Sequence, residues 1–140
     1  HHVFDSFSGL SEPTEIDKPK SATIFYWKKH DLAISLDVVK KNLKRFDFVE
    51  YYPGWIPDRF HEVQHRSFSF VHIDVDLYQP TADALSFFYP RMSLGGIILC
   101  DDYGSSSCPG AKAAFDEFVK GKPEGPVIHL TTGQGLIIKR

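Results

Sequence analysis

Residues 68–76 have the sequence Phe-Ser-Phe-Val-His-Ile-Asp-Val-Asp, and residues 95–102 have the sequence Gly-Gly-Ile-Ile-Leu-Cys-Asp-Asp. Each stretch is an apolar run of strand length that ends in acidic residues. Near-continuous apolar runs are typical of strands covered on both faces, as in a parallel sheet. The two stretches therefore predict two neighbouring strands in the middle of an α/β sheet, each with acids at its carboxyl end.

The rest of the chain supplies helices and further strands around these two. Helical spacing of apolar residues and Pro at first turns predict helices, while short β-rich runs bounded by Gly or Pro predict strands. The predicted helices cover 36–46, 56–63, 79–90 and 109–120, and the other strands cover 3–5, 47–52, 127–130 and 136–139. Strands that alternate with helices favour an α/β sheet that is parallel in the middle, with an antiparallel hairpin at its C-terminal end.

Length and composition exclude several classes of protein. The 140 residues suit a single domain, 1–140, with one hydrophobic core. The net charge is −2 and the sequence has no dense Lys/Arg stripe, which argues against a nucleic-acid partner. Two cysteines are too few for a disulfide framework, and no stretch has the roughly 18 apolar residues of a membrane span. These features predict a cytoplasmic protein without a nucleic-acid or membrane partner.

Four aspartates are expected to meet in one crevice, because ligands of open α/β sheets bind beyond the carboxyl ends of the strands. Carboxylates that lie this close raise one another's pKa, and a hard divalent cation would neutralise them. Oxygen ligands favour magnesium, calcium or manganese over zinc. Either acid pair alone would be equally well explained as a turn, but two pairs after two apolar strands favour a site. The four residues are Asp74, Asp76, Asp101 and Asp102.

The histidines are weaker candidates. His72 lies within the predicted strand, and we expect a hydrogen-bonded, half-buried histidine there rather than a ligand. His61 and His65 are four residues apart with Glu62 between them, the spacing of the zinc-protease motif, but that motif needs both histidines on one helix and the helix predicted here ends at 63, before His65. The segment 11–31 contains Phe25, Tyr26 and Trp27, and it suits a lid over a substrate as well as it suits a packed surface loop.

Several motifs together resemble the macrocin O-methyltransferase family, over nearly the whole chain. The motifs cover residues 4–10, 54–58, 70–81, 95–98, 100–104 and 108–111. The resemblance implies a Rossmann-like class I fold, S-adenosylmethionine as cofactor, Mg²⁺ or another hard divalent cation, and methyl transfer to a hydroxyl of a sugar or other natural product. The expected partner is thus a small-molecule hydroxyl acceptor.

The same resemblance implies a role for each residue at a matching position. Asp74, Asp101 and Asp102 correspond to the metal ligands, and Asp76 falls where a general base could take the proton of the acceptor hydroxyl. The remaining matches are on the cofactor side, where Asp5 would bind the ribose and Gly54 and Trp55 would hold the adenine end. The full set of expected cofactor-binding residues is Asp5, Ser6, Gly54 and Trp55.

One part of the family's pattern is missing. The family's first strand and glycine-rich cofactor loop precede the strand that here ends at Asp5, and that first strand lies between the second and the fourth in the sheet. The resemblance therefore implies a gap with open edges. The chain is then a fragment of a longer enzyme, a short protein that closes its sheet by rearrangement or dimer exchange, or an inactive homologue that dimerises through the exposed edge. We expect the chain alone to bind S-adenosylmethionine weakly or not at all.

A different enzyme class provides a minor alternative. Asp74-Val75-Asp76 resembles the Asp-x-Asp motif of metal-dependent phosphohydrolases of the haloacid dehalogenase type. That class has its motif on the first strand, with a Thr shortly after. Here the motif is in the middle of the chain and residue 78 is Tyr, so the phosphohydrolase hypothesis is disfavoured.

Overall fold

A computed structural model describes residues 1–21 and 23–140 and contains, in that part of the chain, six strands and three α-helices. The strands are β1 (His2–Asp5), β2 (Glu50–Pro53), β3 (Phe68–Ile73), β4 (Met92–Cys100), β5 (Ile128–His129) and β6 (Gly135–Ile138). The helices are α1 (Leu36–Asn42), α2 (Tyr78–Phe88) and α3 (Pro109–Val119). None of the helices in the described residues has the length and apolar character needed to cross a membrane.

The larger sheet contains the two strands on which the sequence argument rests. Its order is β3-β4-β6-β5, with β3 parallel to β4 and the β5–β6 hairpin antiparallel at the far edge. The register pairs Ile73 with Cys100, so both strands end at the same level of the sheet. The predicted α/β sheet with a C-terminal antiparallel hairpin is confirmed.

The smaller sheet contains only β1 and β2, which are parallel, and no hydrogen-bonded ladder joins β1 to β3 among the described residues. Residues of β1 and residues of β3 line one cavity of about 340 Å³, which separates the two sheets. At one end of these strands, the rings of His2 and Phe68 lie 6.2 Å apart. At the other end, Asp5 and Asp74 line a common second cavity. The strands therefore run side by side in the same direction with an open gap between them, as the resemblance implied.

A cluster of aromatic rings connects the two sheets below this gap. Phe88, at the end of α2, is buried, and its ring lies 5.9 Å from that of Phe4, 4.8 Å from that of Phe60 and 5.1 Å from that of Phe68. Edge-to-face pairs of this kind add to the energy of apolar burial. The smaller sheet is thus held to the larger one by side-chain packing and not by backbone hydrogen bonds.

Several predicted elements differ from the structure at their ends, and three of the differences have a physical reason. The first helix ends at Asn42 and not at 46, and none of its residues is buried, so little tertiary packing extends it. The helix predicted over 56–63 is only a 3₁₀ turn, Phe60–Val63. The strand β2 begins at Glu50 and not at 47 because only residues 50–53 pair with β1.

Candidate active site

The carboxyl ends of β3 and β4 bring three of the predicted acids together. Asp74 follows β3 directly, and Asp101 and Asp102 follow β4 in a short 3₁₀ turn, Asp101–Gly104. One carboxylate oxygen from each of the three lies within 4.8 Å of the others. An oxygen-only set of this size and spacing has the ligand chemistry of a hard divalent cation.

The electrostatics of the three acids show uncompensated negative charge. The pKa of Asp74 is raised, first by burial and then by the charges of Asp102 and Asp101. Burial also raises the pKa of Asp102, although hydrogen bonds from the Asp76 backbone, the Cys108 thiol and the Val75 backbone oppose the shift. Groups whose charged form is disfavoured in this way gain most from a nearby cation.

The fourth acid, Asp76, has a separate position beside this set. It is only 9% exposed, and its backbone lies in the left-handed region at φ 60°, which is rare for a residue other than Gly. Its backbone N–H donates to Oδ2 of Asp102 across 3.0 Å. Burial, followed by the charge of Asp102, raises the pKa of Asp76 to about 6. A left-handed residue held by a neighbouring carboxylate is a strained position of the kind that clusters at functional sites.

Two side chains hold Asp101. His72 Nε2 and Gln134 Nε2 both lie 3.2 Å from Oδ1 of Asp101. The hydrogen bond expected for His72 is present, and 43% of its side chain is exposed. The residue lines the cavity between β1 and β3, which accounts for this exposure.

Sequence reasoning did not assign a role at this site to Cys108. The thiol is 2% exposed, accepts a hydrogen bond from Trp27 Nε1 at 3.3 Å, and donates to Oδ1 of Asp76 at 3.5 Å. Burial raises the pKa of Cys108 to about 11, so the sulfur is a neutral S–H donor at pH 7. The signals in the sequence were the place of the cysteine directly before Pro109, at a predicted helix start, and its inclusion in the family-like motif at 108–111.

A second unpredicted residue, Asp17, ties the segment 11–31 to the site. It is buried, and its Oδ2 accepts hydrogen bonds from the backbone N–H and hydroxyl of Thr14. Its Oδ1 accepts the backbone N–H of Tyr78, the first residue of α2, at 2.7 Å. A side chain at Gly110 would collide with Asp17, so glycine at the start of α3 makes this approach possible. The described residues of the segment are therefore attached to the site through Asp17 and Trp27.

The residues expected on the cofactor side lie next to the acids. A cavity of about 220 Å³ is lined by Asp5, Ser6, Trp55, Asp74 and Asp76, among others. Oδ1 of Asp5 accepts the backbone N–H of Phe7 at 2.6 Å, and Trp55 Nε1 donates to the carbonyl of Gly9 at 3.1 Å.

Gly54 does not line this cavity, and its contact with the site is a backbone hydrogen bond to Asp5. Its φ is 153°, and its backbone N–H donates to the carbonyl of Asp5 at 3.0 Å, which continues the pairing of β1 with β2. The structure thus brings together the carboxyl ends of β1, β2 and β3. The roles expected for these side chains remain predictions.

Comparison with known proteins agrees with the family resemblance of the sequence motifs. A sequence profile of the macrocin O-methyltransferase family, TylF, matches residues 1–129. The chain is 31% identical over 121 residues to demethyldecarbamoylnovobiocin O-methyltransferase of Streptomyces niveus, covering 83% of this chain and 45% of that protein. It is 34% identical over 113 residues to mycinamicin III 3''-O-methyltransferase of Micromonospora griseorubida, covering 76% of this chain and 44% of that protein.

Solved structures of this kind have the same fold. The O-methyltransferase NovP superposes with a TM-score of 0.77 at 27% identity, covering 99% of this chain and 59% of that chain. The chain spans less than half the length of the two curated relatives.

Proposed function

Because the chain belongs to the macrocin O-methyltransferase family, we propose that it is part of an enzyme that methylates a hydroxyl of a sugar or another natural product. The methyl donor in this proposal is S-adenosylmethionine, and a hard divalent cation assists the reaction. The observation that carries the proposal is the division of the acids into a set of three, Asp74, Asp101 and Asp102, and a separate fourth, Asp76.

The three clustered acids fit a cation on their own chemistry. They offer only oxygen atoms, at a mutual spacing within 4.8 Å, and the pKa values of Asp74 and Asp102 are raised by burial and by neighbouring negative charge. In this proposal Asp74, Asp101 and Asp102 hold the cation, preferably Mg²⁺. A divalent cation at such a site supplies orientation and a lowered pKa for the acceptor hydroxyl.

Asp76 is proposed as the general base. With a pKa of about 6 it is largely ionised at pH 7, yet it is far more basic than an ordinary carboxylate. A hydroxyl of the acceptor would give its proton to a carboxylate oxygen of Asp76 while the hydroxyl oxygen bonds to the methyl carbon. The bond between that carbon and the sulfonium sulfur breaks in the same step, and the donor leaves as the neutral thioether S-adenosylhomocysteine. Burial of Asp76 limits competition from water for this proton.

The cofactor side is proposed from the second cavity. A carboxylate suits the two hydroxyls of a ribose, so Asp5 would accept from them, and the hydrogen bond from the backbone N–H of Phe7 to Oδ1 would orient the carboxylate. Ser6 and Trp55 would hold the rest of the adenosyl group, and Gly54, whose backbone N–H donates to the carbonyl of Asp5, would keep Asp5 and Trp55 in place. Since Asp5 and Asp76 line one cavity, a donor bound there would place its methyl group near the base.

A methyl-transfer assay tests the function. The protein, in the longest form that its gene encodes, would be incubated with S-adenosylmethionine labelled in the methyl group, Mg²⁺ and a panel of deoxysugar glycosides. The proposal predicts labelled product that disappears on chelation and in Asp76→Asn, whereas Asp37→Asn, which changes an exposed acid of α1, stays active. Transfer that is unaffected by Asp76→Asn would contradict the role of Asp76, and a complete lack of transfer to hydroxyl acceptors would contradict the function.

A further inference from the structure

The separation of Asp76 from the other three acids needs a physical cause. All four carboxylates lie at the ends of two neighbouring strands, and a divalent cation can take six or more oxygen ligands. Asp76 is two residues from Asp74 and hydrogen-bonds Asp102 through its backbone. Nothing in its charge or its distance along the chain would keep its carboxylate out of the cation's ligand set.

The side-chain contact of Asp76 is with Cys108. The S–H group donates to Oδ1 of Asp76 at 3.5 Å, on the side of Asp76 that faces the start of α3. The sulfur itself is fixed, because Trp27 Nε1 donates to it at 3.3 Å. One atom each of Asp76, Asp102 and Cys108 lies within 4.8 Å of the others, in a group that shares Asp102 with the cluster of Asp74, Asp101 and Asp102 but contains neither Asp74 nor Asp101.

We propose that Cys108 is a positioning residue that holds the Asp76 carboxylate away from the cation, so that Asp76 remains free to act as base. The inference rests on the proposed function, since it presupposes a cation at Asp74, Asp101 and Asp102. A carboxylate that coordinates the cation directly would be a weaker base, because the positive charge would stabilise its ionised form. The hydrogen bond from sulfur therefore preserves the division of roles between ligands and base.

The proposal predicts that loss of the Cys108 side chain tightens cation binding, whereas most mutations near a metal site weaken it. Cys108→Ala removes a neutral side chain, so it does not change the net charge at the site. Without the S–H group, the Asp76 carboxylate becomes free to turn and join the ligand set. The mutation should then tighten cation binding, by about tenfold, which is the scale on which outer partners of ligands change metal affinity. A mutation that merely loosened the structure would weaken binding instead.

The experiment is a titration of the 140-residue chain with Mn²⁺, with free Mn²⁺ followed by electron paramagnetic resonance. Four variants form a double-mutant cycle: wild type, Cys108→Ala, Asp76→Asn and the double variant. We expect Asp76→Asn to weaken Mn²⁺ binding much more in the Cys108→Ala background than in the wild type. Cys108→Ser, which keeps a donor at the same position, should restore the wild-type affinity.

Two controls distinguish a failure of the inference about Cys108 from a failure of the proposed cation site. Thermal melting of each variant without metal checks folding, and Asp74→Asn checks that Mn²⁺ occupies the expected site. If Asp74→Asn weakens binding but Cys108→Ala leaves it unchanged or weakens it, the inference about Cys108 is wrong and the proposed cation site stands. If Mn²⁺ does not bind the wild-type chain, or binds it equally well after Asp74→Asn, the cation site fails and the inference fails with it.

Discussion

The backbone N–H of Asp76 lies 3.0 Å from Oδ2 of Asp102 and donates a hydrogen bond to it, which joins the end of β3 to the end of β4. This single contact places an acid of one strand end against an acid of the other. It also fixes Asp76 in its left-handed backbone conformation. The chemistry that we propose depends on both effects, and the following predictions test them.

Loss of a proposed ligand should weaken cation binding. Asp74→Asn removes one of three carboxylates whose oxygens lie within 4.8 Å of one another, and we expect Mg²⁺ or Mn²⁺ to bind at least about tenfold more weakly. Asp37→Asn removes the same charge from an exposed position in α1 and should change the affinity little. Isothermal titration calorimetry of both variants checks this, and equal losses in the two would mean that only net charge matters.

The stability of the cation-free chain should depend on the protonation of Asp76. Its pKa is about 6 in the folded chain, against ~3.9 for an unfolded one, so folding takes up a proton between these values. This contribution to stability is fully present below pH ~4 and is lost as the pH rises through about 6.

Asp76→Asn should therefore stabilise the cation-free chain by about 1 kcal/mol at pH 7 and have almost no effect below pH ~4. Urea denaturation in the presence of a chelator measures both. A stabilisation by Asp76→Asn that is the same at pH 7 and below pH ~4 would refute the explanation by burial.

Asp116 provides a control with the opposite sign. Burial opposes ionisation of Asp116, but hydrogen bonds from Lys112 and Tyr103 lower its pKa, so Asp116→Asn should destabilise the chain near neutral pH.

The aromatic cluster below the gap should hold the two sheets together. Phe88→Ala deletes a buried ring that contacts Phe4, Phe60 and Phe68, and we expect a loss of about 3–5 kcal/mol in the free energy of unfolding. Hydrogen exchange should show β1 losing protection before β4, because β1 has no backbone ladder to the larger sheet. Phe48→Ala, at an exposed ring, is the matched control and should cost little.

The gap between β1 and β3 should limit cofactor binding by the chain alone. Among the described residues no strand pairs with β1 and β3 across this gap, and a cavity lies between them. We expect calorimetry to detect weak binding of S-adenosylmethionine or none, and micromolar binding by the 140-residue chain would contradict this.

The open edges at the same gap are available for pairing between chains. Size-exclusion chromatography with light scattering will show whether the chain is a monomer or pairs through these edges into a homodimer. A monomer that also fails to bind the cofactor would favour a fragment of a longer enzyme over a dimerising homologue.

The sequence predicted the elements that carry strong local signals. The apolar strands before Asp74 and Asp101 were predicted because burial on both faces leaves a continuous apolar run, and Pro109 marked the start of α3. The first helix was predicted too long because its apolar spacing continues to Phe46, whereas in the structure none of its residues is buried and little tertiary packing extends it beyond Asn42.

The sequence predicted the carboxylates of the site but did not predict the residues that hold them in place. The position of the strand ends indicated a shared crevice for the four acids, and the structure brings Asp74, Asp101 and Asp102 within 4.8 Å of one another. Asp17 and Cys108 were missed because their partners, Tyr78 and Asp76, are 61 and 32 residues away along the chain. Contacts of this kind arise from packing between segments and leave no periodic signal in the sequence.

Anomalous diffraction from a crystal of the chain grown with Mn²⁺ tests the central claim most directly, because it locates the cation and shows its ligands. We predict one strong anomalous peak within coordination distance of Asp74, Asp101 and Asp102, with the Asp76 carboxylate outside the ligand set and in contact with Cys108. A peak elsewhere, no peak at saturating Mn²⁺, or direct coordination by Asp76 would contradict the account.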